Sequence, residues 1–123
     1  MNEILIYISG VTALLWGVAH LFPTKNLVKG FGEITPDNKN IITMEWIVEG
    51  VALIFTGVIV IAVTGVDAQS EVSAMVYWLS AVELIVLAVV SLLTGFKVNF
   101  LPFKLCPFIF TASALLIFLG TSL

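Results

Sequence analysis

Four long apolar runs govern what this chain can become: Leu5 to Phe22, Ile41 to Val63, Val72 to Thr94 and Leu105 to Ser122. Each is close to the ~20 residues that an α-helix, rising 1.5 Å per residue, needs to cross ~30 Å of hydrocarbon. Lipid offers no partner to backbone N–H and C=O groups. Runs of this length do not match the ~10-residue alternating strands of a membrane barrel, so each is expected to be helical. The expected fold class is all-α, an integral membrane four-helix up-down bundle forming a single domain over residues 1–123.

Composition closes the other routes. Hydrophobic residues make up 60% of the chain and charged ones 11%, against roughly 25% charged in a soluble domain. Disorder requires the opposite balance, and a disulfide scaffold requires paired cysteines where this chain has one. Five lysines, no arginine and a net charge of −3 leave no basic surface for a phosphate backbone, so nucleic acid is not an expected partner.

The lysines also set an orientation. Lys25, Lys29 and Lys39 lie between the first two spans, and Lys97 and Lys104 between the last two. The other side carries Glu3, Asp67 and Glu71 and no lysine. The positive-inside rule then places the lysine loops in the cytoplasm and both termini outside a cell membrane. Met1, Asn2 and Glu3 supply no cationic signal-peptide start, so the first span is expected to stay as a helix.

Turn residues fit these limits. Pro23 follows the first span, and Gly65 and Gly95 sit at the ends of the second and third. Thr35, Pro36 and Asp37 read as an N-cap, a first helical proline and a first-turn acid, which starts the second helix before the membrane. Thr24 to Phe31 reads either as one interfacial helical turn or as an irregular loop broken by Gly30 and Gly32. The apolar stretch Phe100 to Phe103 is expected to lie at the interface without being helical through Pro102.

Ionisable groups inside spans are costly, and such residues ordinarily face the interior and have a role. Four qualify: His20, Glu45, Glu49 and Glu83. Glu45 and Glu49 are one helical turn apart, in line with Ala52 and Thr56. His20 shares a face with Gly17, Ala13 and Ser9 or Gly10, small residues that let helices approach. At 1.5 Å per residue from the lysine side, His20 lies roughly 3 to 5 Å deep, Glu45 about 6 Å, Glu49 about 12 Å and Glu83 about 18 Å. A His20 pair with Glu45 or Glu49 is geometrically reasonable. The structural alternatives are a boundary histidine, a Glu45 reaching interfacial water, and a neutral Glu83 donating a hydrogen bond to a neighbouring helix.

Trp46, Tyr77, Trp78, Ser80 and Thr56 are the further candidates for lining a cavity, with Trp46 and Trp78 equally readable as members of interfacial aromatic belts. Gly50 and Gly57, seven apart, mark a close helix contact, within one chain or across a dimer. Cys106 has no partner for disulfide exchange, and a single histidine cannot supply two haem ligands. No cofactor is expected. A divalent metal on His20 and the carboxylates is the weaker reading, because the Glu-x-x-His spacing of bundle metal sites is absent.

The expected function is proton- or cation-coupled transport or permeation of a small ligand or ion, with Glu83 reached through Glu49 and Glu45 and a homodimer or larger membrane assembly enclosing the path. The alternative is a non-catalytic subunit holding a lipid, a quinone or a partner helix. An enzyme with His20 and Glu49 as acid and base has the right residue types but no motif, and ranks third.

The segment from His20 to Gly50, with Pro23, Gly30, Phe31, Gly32, Asp37, Asn38, Met44, Glu45, Trp46 and Glu49, resembles small prokaryotic four-span proteins of DoxX-like size and layout. It covers about a quarter of the chain and implies a fold but no activity. The small multidrug resistance transporters are similar in size, yet they carry their essential acid in the first span, where this chain has His20 and no acid.

The orientation has a direct check. In a Cys106→Ser background, Lys39→Cys and Lys97→Cys are expected to react with a membrane-impermeant maleimide only after lysis, and Gln69→Cys in intact cells; the reverse pattern would invert the topology.

Overall fold

A computed structural model describes all residues, 1–123, and its regular elements are all helices, with no strand. Its elements are α1 (Glu3–Leu21), α2 (Thr24–Gly30), α3 (Pro36–Asp67), α4 (Glu71–Leu93), a 3-10 turn (Gly95–Lys97) and α5 (Leu101–Ser122). Four of these helices are long and apolar enough to cross a membrane. The outward faces carry Ile4, Phe55, Val66, Val72, Leu79 and Phe108, while Ser9, Thr56, Thr64, Ser73, Ser80 and Ser113 are buried. Such a distribution is stable in hydrocarbon, where apolar surface is not penalised and polar groups must find partners inside.

The ends follow from local chemistry. Thr35 caps α3 by accepting from the Asn38 N–H at 3.2 Å, with Pro36 at the first helical position. Ser70 caps α4 in the same way through the Ser73 N–H at 3.1 Å. The segment after Pro23 is the short helix α2, and Gly32, at φ 71°, makes the turn from it toward α3.

Two expectations need correction. Gly65 does not stop the second span: α3 runs on to Asp67, whose carbonyl accepts from the Ser73 hydroxyl at 2.6 Å. Pro102 is helical. α5 begins at Leu101, so Pro102 stands in the first turn, where a missing N–H leaves no helical bond unmade. Pro107, deeper in α5, does remove the N–H that the Phe103 carbonyl would otherwise receive.

Packing is organised around α1, which lies against α3 and α5, while α4 lies chiefly on α5 and less closely on α3. The α1–α3 contact is backbone on backbone. A Cβ on Gly17 would stand 2.7 Å from the Gly50 carbonyl oxygen, and one on Gly57 would stand 2.6 Å from the Leu14 nitrogen and against the Gly10 carbonyl. Gly10 lies beside Gly57 and Gly17 beside Gly50, so the two helices are antiparallel and their register is fixed. Gly50 and Gly57 therefore mark a contact inside one chain.

The α1–α5 seam uses the same device at Gly120, where a Cβ would meet Ile6 at 2.6 Å. The Asn2 N–H donates to the Gly120 carbonyl at 2.7 Å, and the Ser9 hydroxyl to the Ser113 carbonyl at 2.7 Å. Between α3 and α4, Thr64 and Tyr77 share a hydrogen bond of 2.9 Å around a core of Leu53, Val60, Leu84, Phe110 and Ile117.

Gly57→Val is expected to lower unfolding stability in detergent by about 1–3 kcal/mol, the usual effect of forcing methyl groups into a filled contact. Gly30→Ala, with nothing within 4 Å of the added carbon, is expected to be neutral. Circular dichroism during denaturant titration reads both, and a neutral Gly57→Val would remove the close-contact account.

Candidate functional site

The glycine register decides what meets His20. With Gly17 against Gly50, the next turn of α1 brings His20 to the turn of α3 that carries Trp46 and Glu49. The imidazole stacks on the Trp46 indole, ring centroids 3.7 Å apart and planes 20° from parallel. The Trp46 Nε1–H donates to the His20 carbonyl oxygen at 2.8 Å, occupying a carbonyl at the end of α1 where intrahelical donors run out. One tryptophan thus fixes both the ring and the backbone of the histidine.

His20 Nε2 lies 3.5 Å from Glu49 Oε2. That is an ion-pair contact for a protonated imidazole, but too long to be a hydrogen bond, and Nε2 has no hydrogen-bond partner. The two members differ in access: the His20 side chain is 7% exposed and that of Glu49 43%. The imidazole is enclosed, whereas the carboxylate is reachable.

Both face a cavity of about 290 Å³ at the lysine-bearing ends of the helices. All four long helices contribute to its wall: Trp16, Ala19 and His20 from α1, Trp46 and Glu49 from α3, Leu87, Val90 and Ser91 from α4, and Pro102, Phe103 and Cys106 from α5. Phe100, Thr94 and Gly95 from the α4–α5 connection and Pro23 from the turn after α1 complete it. Phe103 sets its edge against Trp46, with centroids 5.6 Å apart. The Cys106 thiol is buried and turned to the Pro102 carbonyl at 3.3 Å.

The remaining candidates lie elsewhere. Glu45 is exposed and borders an open groove with Leu27, Phe31, Ile41, Ile42 and Val98. The reason is helical phase: the buried face of α3 follows Gly50, Leu53, Gly57 and Val60, and at about 100° per residue Glu49 lies some 40° nearer that line than Glu45. Glu83 lines no part of the cavity. Its Oε2 accepts from Thr56 Oγ1 at 2.9 Å, and the same hydroxyl lies 3.0 Å from the Ala52 carbonyl, so one proton is shared between two acceptors.

Of the five residues expected to line a cavity, only Trp46 lines this one, while Tyr77 and Trp78 border a separate small crevice of about 10 Å³ with Ile117 and Phe118. Thr56 serves Glu83, Tyr77 is wholly buried with its hydroxyl on Thr64, Ser80 is buried on α4, and Trp78 is 58% exposed with its edge toward Phe118. Tyr77, Trp78 and Ser80 sit near the start of α4, whereas the cavity takes residues from its last two turns. His20, Glu49 and Trp46 are thus brought together in the cavity, Glu45 stands outside it on the groove that Trp46 and Glu49 also border, and Glu83 lies apart from all of them. No three His, Cys, Asp or Glu side chains converge closely enough to hold a metal ion.

Sequence reasoning missed Trp16, Ser91, Phe100 and Phe103. For Trp16 a signal existed, since it is one turn before His20 on the same helix. For the others the α4–α5 connection had to be folded first.

Trp46→Phe keeps a ring for His20 to stack on but deletes the donor to its carbonyl, and is expected to cost about 1 kcal/mol of unfolding stability. Trp46→Ala removes donor and stack together, and a loss of about 3 kcal/mol is expected. Equal losses in detergent denaturation would show that the indole N–H and ring do not act separately.

No family model, no curated protein and no solved structure matches the chain.

Proposed function

We propose that this is a multi-pass protein of the cell membrane, an up-down four-helix bundle with its lysine loops in the cytoplasm, that binds a small ligand in the cavity at its cytoplasmic end. The observation that carries this reading is an enclosed imidazole with an unpartnered Nε2, facing an accessible carboxylate inside an aromatic-walled space where all four long helices meet. Concave, mainly apolar sites with a few convergent polar groups are the usual form of small-molecule pockets, and this volume suits a small ligand. The resemblance of the His20 to Gly50 segment to DoxX-like proteins lends support here, because that segment supplies His20, Pro23, Trp46 and Glu49 to the cavity wall.

Proton- or cation-coupled transport is the second reading, favoured by one further observation. Beyond Glu49 the same helix offers Thr56, bonded to Glu83, a second intramembrane carboxyl about two turns deeper. In a single chain Leu53, Leu84 and Phe110 fill the core, so passage would require the helices to move.

Protein extracted in mild detergent is expected to carry about one small molecule per chain by native mass spectrometry, lost in Ser91→Phe, which fills the cavity from α4. Identical content in both would overturn the binding reading. In the transport reading, wild-type affinity for that molecule varies with pH and Glu83→Gln flattens the profile; an unaltered profile removes transport and leaves binding.

A further inference from the structure

The cavity has an open groove at its side. Trp46, Glu49, Thr94, Gly95 and Phe103 border both the cavity and the open groove that runs past Glu45 to Phe31 and Val98. The hydrogen bonds joining α3 to α4 and its cap, Thr56–Glu83, Thr64–Tyr77 and Ser73 to the Val63 carbonyl, all lie on the far side of Glu49 from the lysine end. Below that level no hydrogen bond ties the two helices, and the shared residues set the groove, which runs between α3 and the α4–α5 connection, directly beside the enclosed space.

The charges along this route are of one sign. Glu49 stands in the cavity and Glu45 on the groove, and neither carboxylate has a lysine within ion-pair distance. Lys104, the lysine nearest in sequence to the cavity wall, is committed to the Phe96 carbonyl at 2.9 Å and to the face of the Phe96 ring. The one cationic candidate inside, His20, presents an Nε2 that makes no hydrogen bond. An anionic ligand would meet two carboxylates. A neutral hydrocarbon would cover Glu49 and leave it only His20 Nε2, 3.5 Å away and not hydrogen-bonded, which is costly for a charge leaving water.

Building on the ligand-binding reading, we propose that the cavity takes an organic cation with an apolar body, an alkyl- or arylammonium. Its head sits between Glu49 and the aromatic walls, and its apolar part follows the groove between α3 and the α4–α5 connection. Aromatic faces attract an ammonium through the ring quadrupole, and more strongly where water is excluded. The carboxylate adds charge complementarity that a neutral molecule of equal shape cannot use.

The test uses three probes of similar size and different charge: benzyltrimethylammonium, its carbon isostere neopentylbenzene, and phenylacetate. The first is charged at every pH, so its binding needs no protonation. In Trp78→Phe protein in neutral detergent, fluorescence reports Trp16 and Trp46, both in the cavity wall. Benzyltrimethylammonium is expected to bind about tenfold more tightly than neopentylbenzene. Glu49→Gln is expected to erase that difference while leaving neopentylbenzene binding unchanged.

Equal affinities for the charged and neutral probes in wild type, or tighter binding of phenylacetate, overturn the cation assignment while saturable binding upholds the cavity as a ligand site. A folded protein whose tryptophans respond to none of the three overturns the cation assignment, and the co-purification measurement then decides the binding reading separately. Should Glu49→Gln not fold, Glu49→Asp, which keeps the charge and draws it back, is expected to weaken only the ammonium; an unaltered charge preference in Glu49→Asp overturns the role of Glu49.

Discussion

The close approach of α1 and α3 is the constraint from which the rest of the molecule follows. In hydrocarbon there is no hydrophobic drive to bring apolar helices together, so association depends on van der Waals contact and on polar groups finding one another. Gly10, Gly17, Gly50 and Gly57 remove the side chains that would hold the backbones apart. What they fix is a register as well as a distance. His20 meets Trp46 and Glu49 because of which glycine faces which, and a shift of one turn would separate them.

Most polar groups of the interior fall into two kinds, with Ser113, whose buried Oγ has no partner and lies away from the cavity, outside both. Ser9, Thr64, Tyr77 and Ser73 are fully occupied, each joining one helix to another or to its cap, and they act as fasteners. His20 and Glu49 are not occupied in this sense: one lacks a hydrogen-bond partner and the other has a large part of its carboxylate free. A partly satisfied polar group in a low-dielectric interior is expensive, and its persistence is more readily understood as serving a ligand than as supporting the fold. Glu83 belongs between the two kinds, since its bond to Thr56 divides one hydroxyl proton with Ala52.

Architecture concentrates these features at one end. Beyond the cavity, α4 and α5 close on α1 and α3 around Leu53, Leu84, Phe110 and Ile117. At the lysine-bearing end, the 3-10 turn and the first turn of α5 border the cavity where a continuous core would otherwise stand. Pro102 and Pro107 contribute by giving α5 a sharp start and one freed carbonyl, that of Phe103, in the residue whose ring forms part of the wall.

The number of long helices, their approximate limits and the all-helical class were legible in the residues, because a backbone in lipid has almost no alternative to the helix once an apolar run is ~20 residues long; the residues of the short α2 are compatible with either a helical turn or a loop. The cap at Thr35 is likewise local, depending on a hydroxyl and an N–H three residues away. The inward face of His20 was legible too, from the small residues that share it. Sequence spacing alone aligned Glu45, Glu49 and Glu83 as one ladder, since it reports depth and approximate face but not which neighbour each face meets. Only the tertiary packing separated them: the rotation of α3 needed to seat Gly50 and Gly57 on α1 turns Glu49 in and leaves Glu45 outside, while Glu83 is taken up by Thr56. A cavity is likewise a property of several helices at once, and its wall of Trp16, Trp46 and Phe103 came into being only when the connection after α4 folded back against the first two spans.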